Sequence, residues 1–192
     1  MTPPIIIALS GLSGAGKSTV AEALAGINPS GPGTWIPGAV IRPFAQSVKG
    51  LATGLAWDGV KDAAGRRLLE TLTMMMEDYR SGYWARRWAV RNLGSGMNPP
   101  PVILVPDHRG VPGFDALIDA HGDKDGKGFR FTIGFERIAS YDEGACPANP
   151  TLAEWDSRAR DAGIYIENAH NDFGASAARA ILSNMKERGF NA

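Results

Sequence analysis

Residues 5–19 decide the fold of this chain, and they read Ile-Ile-Ile-Ala-Leu-Ser-Gly-Leu-Ser-Gly-Ala-Gly-Lys-Ser-Thr. The first five are apolar and rich in β-branched side chains, which predicts a buried strand. The last nine contain Gly-x-x-x-x-Gly-Lys-Ser, the pattern of a phosphate-binding loop. Val20 and Leu24 follow one helical turn apart, so the loop is predicted to open a helix. A strand, a Gly-rich turn and a helix N-terminus together direct backbone N–H groups at one anion.

This loop predicts that the chain binds a nucleoside triphosphate. Lys17 is expected to reach the β- and γ-phosphates, and the Ser18 hydroxyl is expected to ligate magnesium. We therefore expect ATP and magnesium as cofactors. The other residues predicted to surround the triphosphate are Gly14, Ala15, Gly16 and Thr19.

Length and composition set outer limits on the function. The chain has 192 residues, which fits one domain, and its 20 Lys and Arg balance its 20 Asp and Glu. Zero formal charge argues against a general nucleic-acid binder, since such proteins are basic. No apolar run approaches ~18 residues, so no membrane span is expected. The single cysteine, Cys146, fits a reducing cytoplasm, and we see no signal peptide.

The rest of the chain alternates between strand and helix patterns. Further strands are predicted at residues 40–42, 102–105, 129–138 and 164–166. Helices are predicted at about residues 44–55, 66–79, 83–93, 114–121, 151–163 and 173–185. This alternation predicts an α/β fold of the P-loop NTPase type, a three-layer sandwich in which a mainly parallel sheet has helices on both faces. The ligand is expected at the carboxyl edge of the strands. Met75 and Met76 are expected to pack in the core.

Three classes of phosphate-loop protein fit such a fold. A GTPase-like switch is disfavoured, because no Asn-Lys-x-Asp base-reading motif follows the loop. A motor ATPase coupled to nucleic acid is usually longer and carries basic or aromatic grooves. A small-molecule kinase fits best, since the chain is short and its arginines are spread over several segments.

The arginines matter because phosphoryl transfer to another phosphate brings several negative charges together. Catalysis then depends on positioning and charge neutralisation, and guanidinium groups bind phosphate oxygens in a fork. The best-placed candidates are Arg66 at a predicted helix start, Arg109 beyond a predicted strand, and Arg137 before an irregular segment. Asp107, at the end of the strand at 102–105, is expected to hold magnesium or its waters.

Several motifs resemble phage-type deoxynucleoside monophosphate kinases. They are Phe44-Ala45-x-x-x-Lys49, Trp57-Asp58-Gly59-x-Lys61-Asp62, Gly65-Arg66-x-Leu68-Leu69, Trp84, and Asp107-x-Arg109 after a strand. The resemblance covers the chain from the phosphate loop to Asn168. It implies transfer of the γ-phosphoryl group of ATP to a deoxynucleoside 5′-monophosphate, forming the diphosphate and ADP. It also implies monophosphate-binding helices at about 43–93 and a lid at about 139–162, within one domain spanning 1–192.

The resemblance also implies roles for individual residues. Phe44, Ala45 and Lys49 would contact the monophosphate, and Arg66 would contact its phosphate. Arg137 would precede the lid. Asp107 and Arg109 would lie at the reaction centre, where Lys17, Arg66 and Arg137 would also act.

The positions of two more residues in the chain suggest roles for them. Trp155 comes just after the irregular segment at 139–150, within the expected lid region, and would meet the substrate. Asn168 comes just after the last predicted strand and would approach the adenine of ATP.

The sequence leaves two other functions open. A kinase acting on a hydroxyl of a small metabolite, and a non-catalytic nucleotide-binding switch, share the same loop. The chain departs from the family pattern at Gln46, Glu70 and after Arg109, which leaves the base preference open. We expect no nucleic-acid or membrane partner. The expected location is the cytoplasm, or the host cytoplasm if the chain is phage-encoded. The sequence leaves open whether the protein forms a homodimer.

Overall fold

A computed structural model describes residues 4–11, 16–27, 35–93, 100–107, 130–136, 164–167 and 174–187. The strands are β1 (Ile5–Gly11), β2 (Ala39–Ile41), β3 (Val102–Val105), β4 (Arg130–Glu136) and β5 (Ile164–Glu167). The helices are α1 (Lys17–Leu24), α2 (Gln46–Gly54), α3 (Ala63–Tyr79), α4 (Tyr83–Leu93) and α5 (Ala175–Glu187). None of the helices in these ranges combines the length and apolar character that a bilayer crossing requires.

The five strands form one parallel sheet in the order β2-β3-β1-β4-β5. The strand before the phosphate loop, β1, therefore lies at the centre, between β3 and β4. This confirms the predicted α/β fold of the P-loop NTPase type. Parallel strands share one carboxyl edge, and the chain leaves β1 at that edge to enter the phosphate loop.

The sheet is buried on both faces at its central strands. Ile7 and Leu9 of β1 pack in one cluster with side chains of α1 and α5. The alternate residues Ile6 and Ala8, which point to the opposite face, are 4% and 0% exposed. Burial on both faces explains why β1 and β3 are continuous apolar runs, as is typical of parallel sheets.

Residues 42–93 belong to a second compact unit, separate from the one that contains the sheet. Its helices α2, α3 and α4 bury the aromatic side chains of Phe44, Trp84 and Trp88. The indole N–H of Trp84 donates to the Thr73 carbonyl at 3.1 Å, and that of Trp88 donates to the Arg42 carbonyl at 3.1 Å. Both buried tryptophans thus satisfy their polar atom, which burial requires.

Glu77 holds the turn between α3 and α4. Its two carboxylate oxygens accept hydrogen bonds from the backbone N–H groups of Gly82, at 2.7 Å, and Trp84, at 3.2 Å. These amides lie at the N-terminus of α4, where helical N–H groups lack partners within the helix. A carboxylate there is also favoured by the helix dipole.

Two details of α3 differ from the sequence prediction. The helix begins at Ala63, not at Arg66, because the Asp62 side chain caps it by accepting from the Gly65 amide at 2.7 Å. The expectation that Met75 packs in the core is wrong, since this side chain is 60% exposed. The core-facing side of α3 runs through Leu72, and Met76 is half-buried. The helices predicted at 114–121 and 151–163 lie outside the described residues.

Candidate active site

Gly16, the last glycine of the phosphate-loop motif, has a backbone conformation that only glycine adopts easily. Gly16 has φ 88° and ψ 12°, the left-handed conformation, and it precedes the first residue of α1. A side chain at this position would be strained. The Gly16 carbonyl accepts the first helical hydrogen bond, from the Val20 amide at 3.0 Å. The left-handed glycine therefore lets the chain turn sharply from the loop into α1.

The first turn of α1 has the features of an anion site. The N-cap of α1 is Gly16, which has no side chain that could cap the helix, and the first turn holds no acidic residue. The N–H groups of a helix N-terminus need acceptors, and their partial positive charge favours an anion. A helix N-terminus that follows a Gly-rich turn is an arrangement in which such N–H groups can bind a phosphate.

The polar side chains of this turn differ in exposure. Lys17 is only 9% exposed, which is uncommon for a lysine. An ammonium held away from bulk water interacts more strongly with a phosphate than an exposed one does. Ser18 is exposed and Thr19 is half-buried. The hydroxyl of Ser18 is thus open to a ligand at the helix end.

Asp107 lies at the same sheet edge, on the strand next to β1. In the β1–β3 register Ala8 is opposite Val105, the last residue of β3. Asp107 comes two residues later and is half-buried. Since β1 leaves the sheet at this edge to form the phosphate loop, the carboxylate of Asp107 belongs to the strand end beside that loop.

The donor set at this edge suits magnesium. Ser18 supplies a hydroxyl and Asp107 a carboxylate, and Mg²⁺ prefers oxygen ligands. In the described ranges no three His, Cys, Asp or Glu residues are clustered to hold a metal by themselves. Mg²⁺ in nucleotide sites is commonly held by one or two protein oxygens together with the phosphates. The residues present therefore fit a metal that arrives with a nucleotide.

In the helical unit, Arg66 is oriented by the backbone before α3. Its Nε donates to the Lys61 carbonyl at 3.0 Å, while the side chain as a whole is exposed. This bond uses one of the five guanidinium N–H donors. Because the guanidinium is planar, fixing Nε also directs the plane that carries the other four. Arg66 is thus presented to solvent with a defined side-chain direction.

Gly65 is required by the close approach of α3 to the loop that precedes it. A Cβ at this position would overlap the Val60 carbonyl oxygen and lie 2.9 Å from Trp57 Nε1. Trp57 Nε1 donates to that same carbonyl at 3.0 Å. The loop itself is closed by Asp58, whose Oδ1 accepts from the Val60 amide at 2.9 Å. The absence of a side chain at Gly65 therefore lets the loop bring Lys61 beneath Arg66.

The other predicted substrate residues lie at the start of α2. Phe44 is 5% exposed, so its ring has little free surface for stacking on a base. Ala45 is the N-terminal flanking residue of α2 and accepts from the Lys49 amide at 2.9 Å. Lys49 is half-buried one turn into the helix. Phe44, Ala45, Lys49 and Arg66 belong to one helical unit, but their contact with a monophosphate stays a prediction.

Six predicted site residues lie outside the described part of the chain. They are Gly14, Ala15, Arg109, Arg137, Trp155 and Asn168. Their roles, and the lid at about 139–162, stay predictions.

Sequence reasoning missed the residues that position Arg66. The acceptor at Lys61 is a backbone carbonyl, for which no side-chain pattern exists. Asp62 was detectable, because an Asp directly before a run of helix formers is a typical N-cap. With Asp62 as the N-cap, the sequence predicts a helix that begins at Ala63, as observed.

Comparison with known proteins gives structural likenesses only. No family model matches the chain, and no curated protein matches it. A cysteine-to-alanine mutant of the Mycobacterium tuberculosis APS kinase CysC is 16% identical, covers 97% of this chain and 99% of its own, and has a TM-score of 0.46. A gluconokinase from Sinorhizobium meliloti 1021 is 14% identical, covers 99% of this chain and 100% of its own, and has a TM-score of 0.41. Likenesses at this level fix neither the activity nor the substrate of this chain.

Proposed function

We propose that this chain is a magnesium- and ATP-dependent kinase that phosphorylates a deoxynucleoside 5′-monophosphate, giving the diphosphate and ADP. The phosphate loop at the start of α1 supports the ATP half of the proposal. The left-handed Gly16 and the buried Lys17 at the start of α1 suit a triphosphate, and Ser18 with Asp107 suits the magnesium that accompanies it.

The charge of the helical unit carries the acceptor half of the proposal. Residues 42–93 contain nine Lys and Arg against five Asp and Glu, whereas the whole chain is balanced at 20 each. An excess of positive charge raises the local concentration of anions. An acceptor that carries a phosphate fits this unit better than an uncharged hydroxyl compound does.

The roles of the residues follow from the electrostatics of the reaction. Lys17 and the amides of the loop hold the ATP phosphates, and Arg66 binds the phosphate of the acceptor. Arg109 and Arg137 complete the neutralisation in this proposal. The acceptor oxygen is already ionised near neutral pH, so the site needs no strong general base. When bound, magnesium offsets the negative charge of the phosphates that the reaction brings together.

The test is a coupled assay of ADP release with every common deoxynucleoside monophosphate, the matching ribonucleotides and several sugar hydroxyl acceptors. Turnover that depends on a deoxynucleoside monophosphate supports the proposal. Turnover only with hydroxyl acceptors would replace it with a metabolite kinase. Tight ATP binding with no acceptor-dependent turnover would indicate a nucleotide-binding switch.

Two variants test the proposed ATP-binding role and the proposed acceptor-binding role separately. Lys17→Ala should lower kcat by ~10³-fold or more, because it removes a cation from the transition state. Arg66→Ala should raise KM for the monophosphate more than KM for ATP. Arg86, an exposed arginine of α4, gives the matched control, since Arg86→Ala should change neither KM. Equal effects of Arg66→Ala on both substrates would contradict its assignment.

A further inference from the structure

We propose that Val60 selects the sugar of the acceptor, because its side chain packs against the C2′ methylene of a deoxyribose and disfavours the 2′-hydroxyl of a ribose. The inference rests on the proposed function and deepens it, since it assigns one residue to the choice between deoxyribonucleotides and ribonucleotides. Val60 lies in the loop at residues 55–62, which joins α2 to α3. Its side chain is 53% exposed, so a ligand can reach it.

The loop holds Val60 in a fixed position. The Val60 amide donates to Asp58 Oδ1 at 2.9 Å, and the Val60 carbonyl accepts from Trp57 Nε1 at 3.0 Å. The Trp57 amide in turn donates to the Ala52 carbonyl of α2 at 2.9 Å. Both backbone polar groups of Val60 are therefore bonded before any ligand arrives. A side chain that is already in place costs little ordering entropy when it binds.

The same loop contains a strained residue. Ala56 has φ 65° and is the only non-glycine residue in the described ranges with a positive φ. Its amide donates to the Thr53 carbonyl at 3.0 Å. A left-handed backbone at a residue with a Cβ persists only where the surrounding contacts hold it, and such residues are concentrated at ligand-binding sites. The strain therefore points to a loop whose shape serves a ligand.

Val60 is next to the guanidinium that is proposed to bind the acceptor phosphate. Arg66 Nε donates to the carbonyl of Lys61, the residue after Val60, at 3.0 Å. A Cβ at Gly65, the residue before Arg66, would overlap the Val60 carbonyl oxygen. The side chains of Val60 and Arg66 are both exposed. In a nucleoside 5′-monophosphate the phosphate is attached to the sugar, so a phosphate on Arg66 brings the sugar to the surface that Val60 occupies.

The chemistry of this surface favours a deoxyribose. The C2′ of a deoxyribose is a methylene, and it gains an apolar contact with an isopropyl group. A 2′-hydroxyl at the same place would lose water without gaining a hydrogen bond. The Val60 amide cannot serve as its partner, because it already donates to Asp58. A closed apolar pocket rejects an added hydroxyl by ~100-fold, so at this half-open position we expect a preference of about tenfold.

The test compares kcat/KM for the deoxyribonucleotide and the ribonucleotide of the same base, in the assay of ADP release. The wild-type chain should prefer the deoxyribonucleotide by about tenfold. Val60→Thr keeps the shape of the side chain and supplies a hydroxyl that can pair with the 2′-hydroxyl. It should lower the ratio at least about threefold, mainly by raising kcat/KM for the ribonucleotide. Val90→Thr is the matched control, because Val90 of α4 is 75% exposed and the ratio should not change.

Arg66→Ala separates recognition of the phosphate from recognition of the sugar. It should raise KM for both nucleotides by the same factor and leave their ratio as in the wild type. Circular dichroism shows that each variant is folded. Equal use of both sugars by the wild-type chain, or a wild-type ratio in folded Val60→Thr, would overturn the role of Val60 while the proposed kinase stands. Absence of turnover with every nucleoside monophosphate would refute the proposed function and this inference with it.

Discussion

Replacement of Gly65 by alanine tests whether the loop before α3 holds Arg66 in place. The added methyl would overlap the Val60 carbonyl oxygen, which is backbone and cannot rotate away. Either α3 or the loop must shift. A shift separates Trp57 from Val60, weakens the Asp62 cap, and moves the Lys61 carbonyl away from Arg66 Nε.

The size of the effect follows from the contacts affected. Overpacking costs about 1–3 kcal/mol, and loss of a cap and of a hydrogen bond costs about 1 kcal/mol each. Alanine in place of glycine within a helix returns about 1 kcal/mol. Gly65→Ala should therefore lower the free energy of unfolding of the helical unit by about 2–4 kcal/mol.

Urea unfolding followed by tryptophan fluorescence and circular dichroism measures this change. Trp57, Trp84 and Trp88 all lie in the helical unit, so fluorescence reports mainly on it. Gly50 gives the matched control, because it is in α2 and a Cβ there meets nothing within 4 Å. Gly50→Ala should be stabilising by up to about 1 kcal/mol.

The two glycine variants should thus change stability in opposite directions. If Gly65→Ala were neutral or stabilising like Gly50→Ala, this result would contradict the close contact between Gly65 of α3 and the Val60 carbonyl oxygen. Under the proposed function, Gly65→Ala should also raise KM for the monophosphate, since Arg66 loses its acceptor at Lys61. An unchanged KM in a folded variant would show that the Lys61 carbonyl does not position Arg66.

Three further predictions use the same measurements. Glu77→Ala removes the acceptor for the Gly82 and Trp84 amides at the start of α4 and should cost about 1–3 kcal/mol of unfolding free energy, whereas Glu70→Ala, on the exposed side of α3, should change it little. Gly174 has φ +80° and a Cβ there would lie 3.0–3.2 Å from Val20, so Gly174→Ala should cost about 1–3 kcal/mol; a neutral result in urea unfolding would contradict the packing of α5 on α1. Asp107→Asn should raise the magnesium concentration for half-maximal ADP release by roughly tenfold, and an unchanged magnesium titration would remove Asp107 from the metal site.

The fold was predictable where the sequence has a strong local period or a turn of fixed chemistry. β1 and β3 are apolar on both faces because both faces are buried, and the run at 102–105 could not be a solvent-exposed element. Gly16 had to be glycine because the loop enters α1 through a left-handed residue. These features depend on neighbours in the chain, so the sequence alone carries them.

The wrong prediction for Met75 depends on packing that the local sequence pattern does not contain. Met75 has the spacing of a core residue, but which 100° of a helix faces the core is decided by the elements packed against it. In α3 the buried direction is fixed by Leu72 and by the contacts of Gly65 with the preceding loop. Periodicity alone could not distinguish a core methionine from one on the opposite border of the apolar stripe.

Under the proposed function, the phosphate loop and Arg66 bind their ligands through different kinds of group, and this decides how each can be damaged. At the phosphate loop the groups proposed to bind ATP are largely backbone amides, which most side-chain changes leave in place, whereas a Cβ at the left-handed Gly16 would strain the backbone. At α3 the group proposed to bind the acceptor phosphate is one guanidinium, and its direction depends on a carbonyl five residues earlier. Arg66 can therefore be disabled by changes that do not touch it, through Asp62 or Gly65. Loss of acceptor binding without loss of ATP binding is the expected signature of mutations in the loop at residues 57–62.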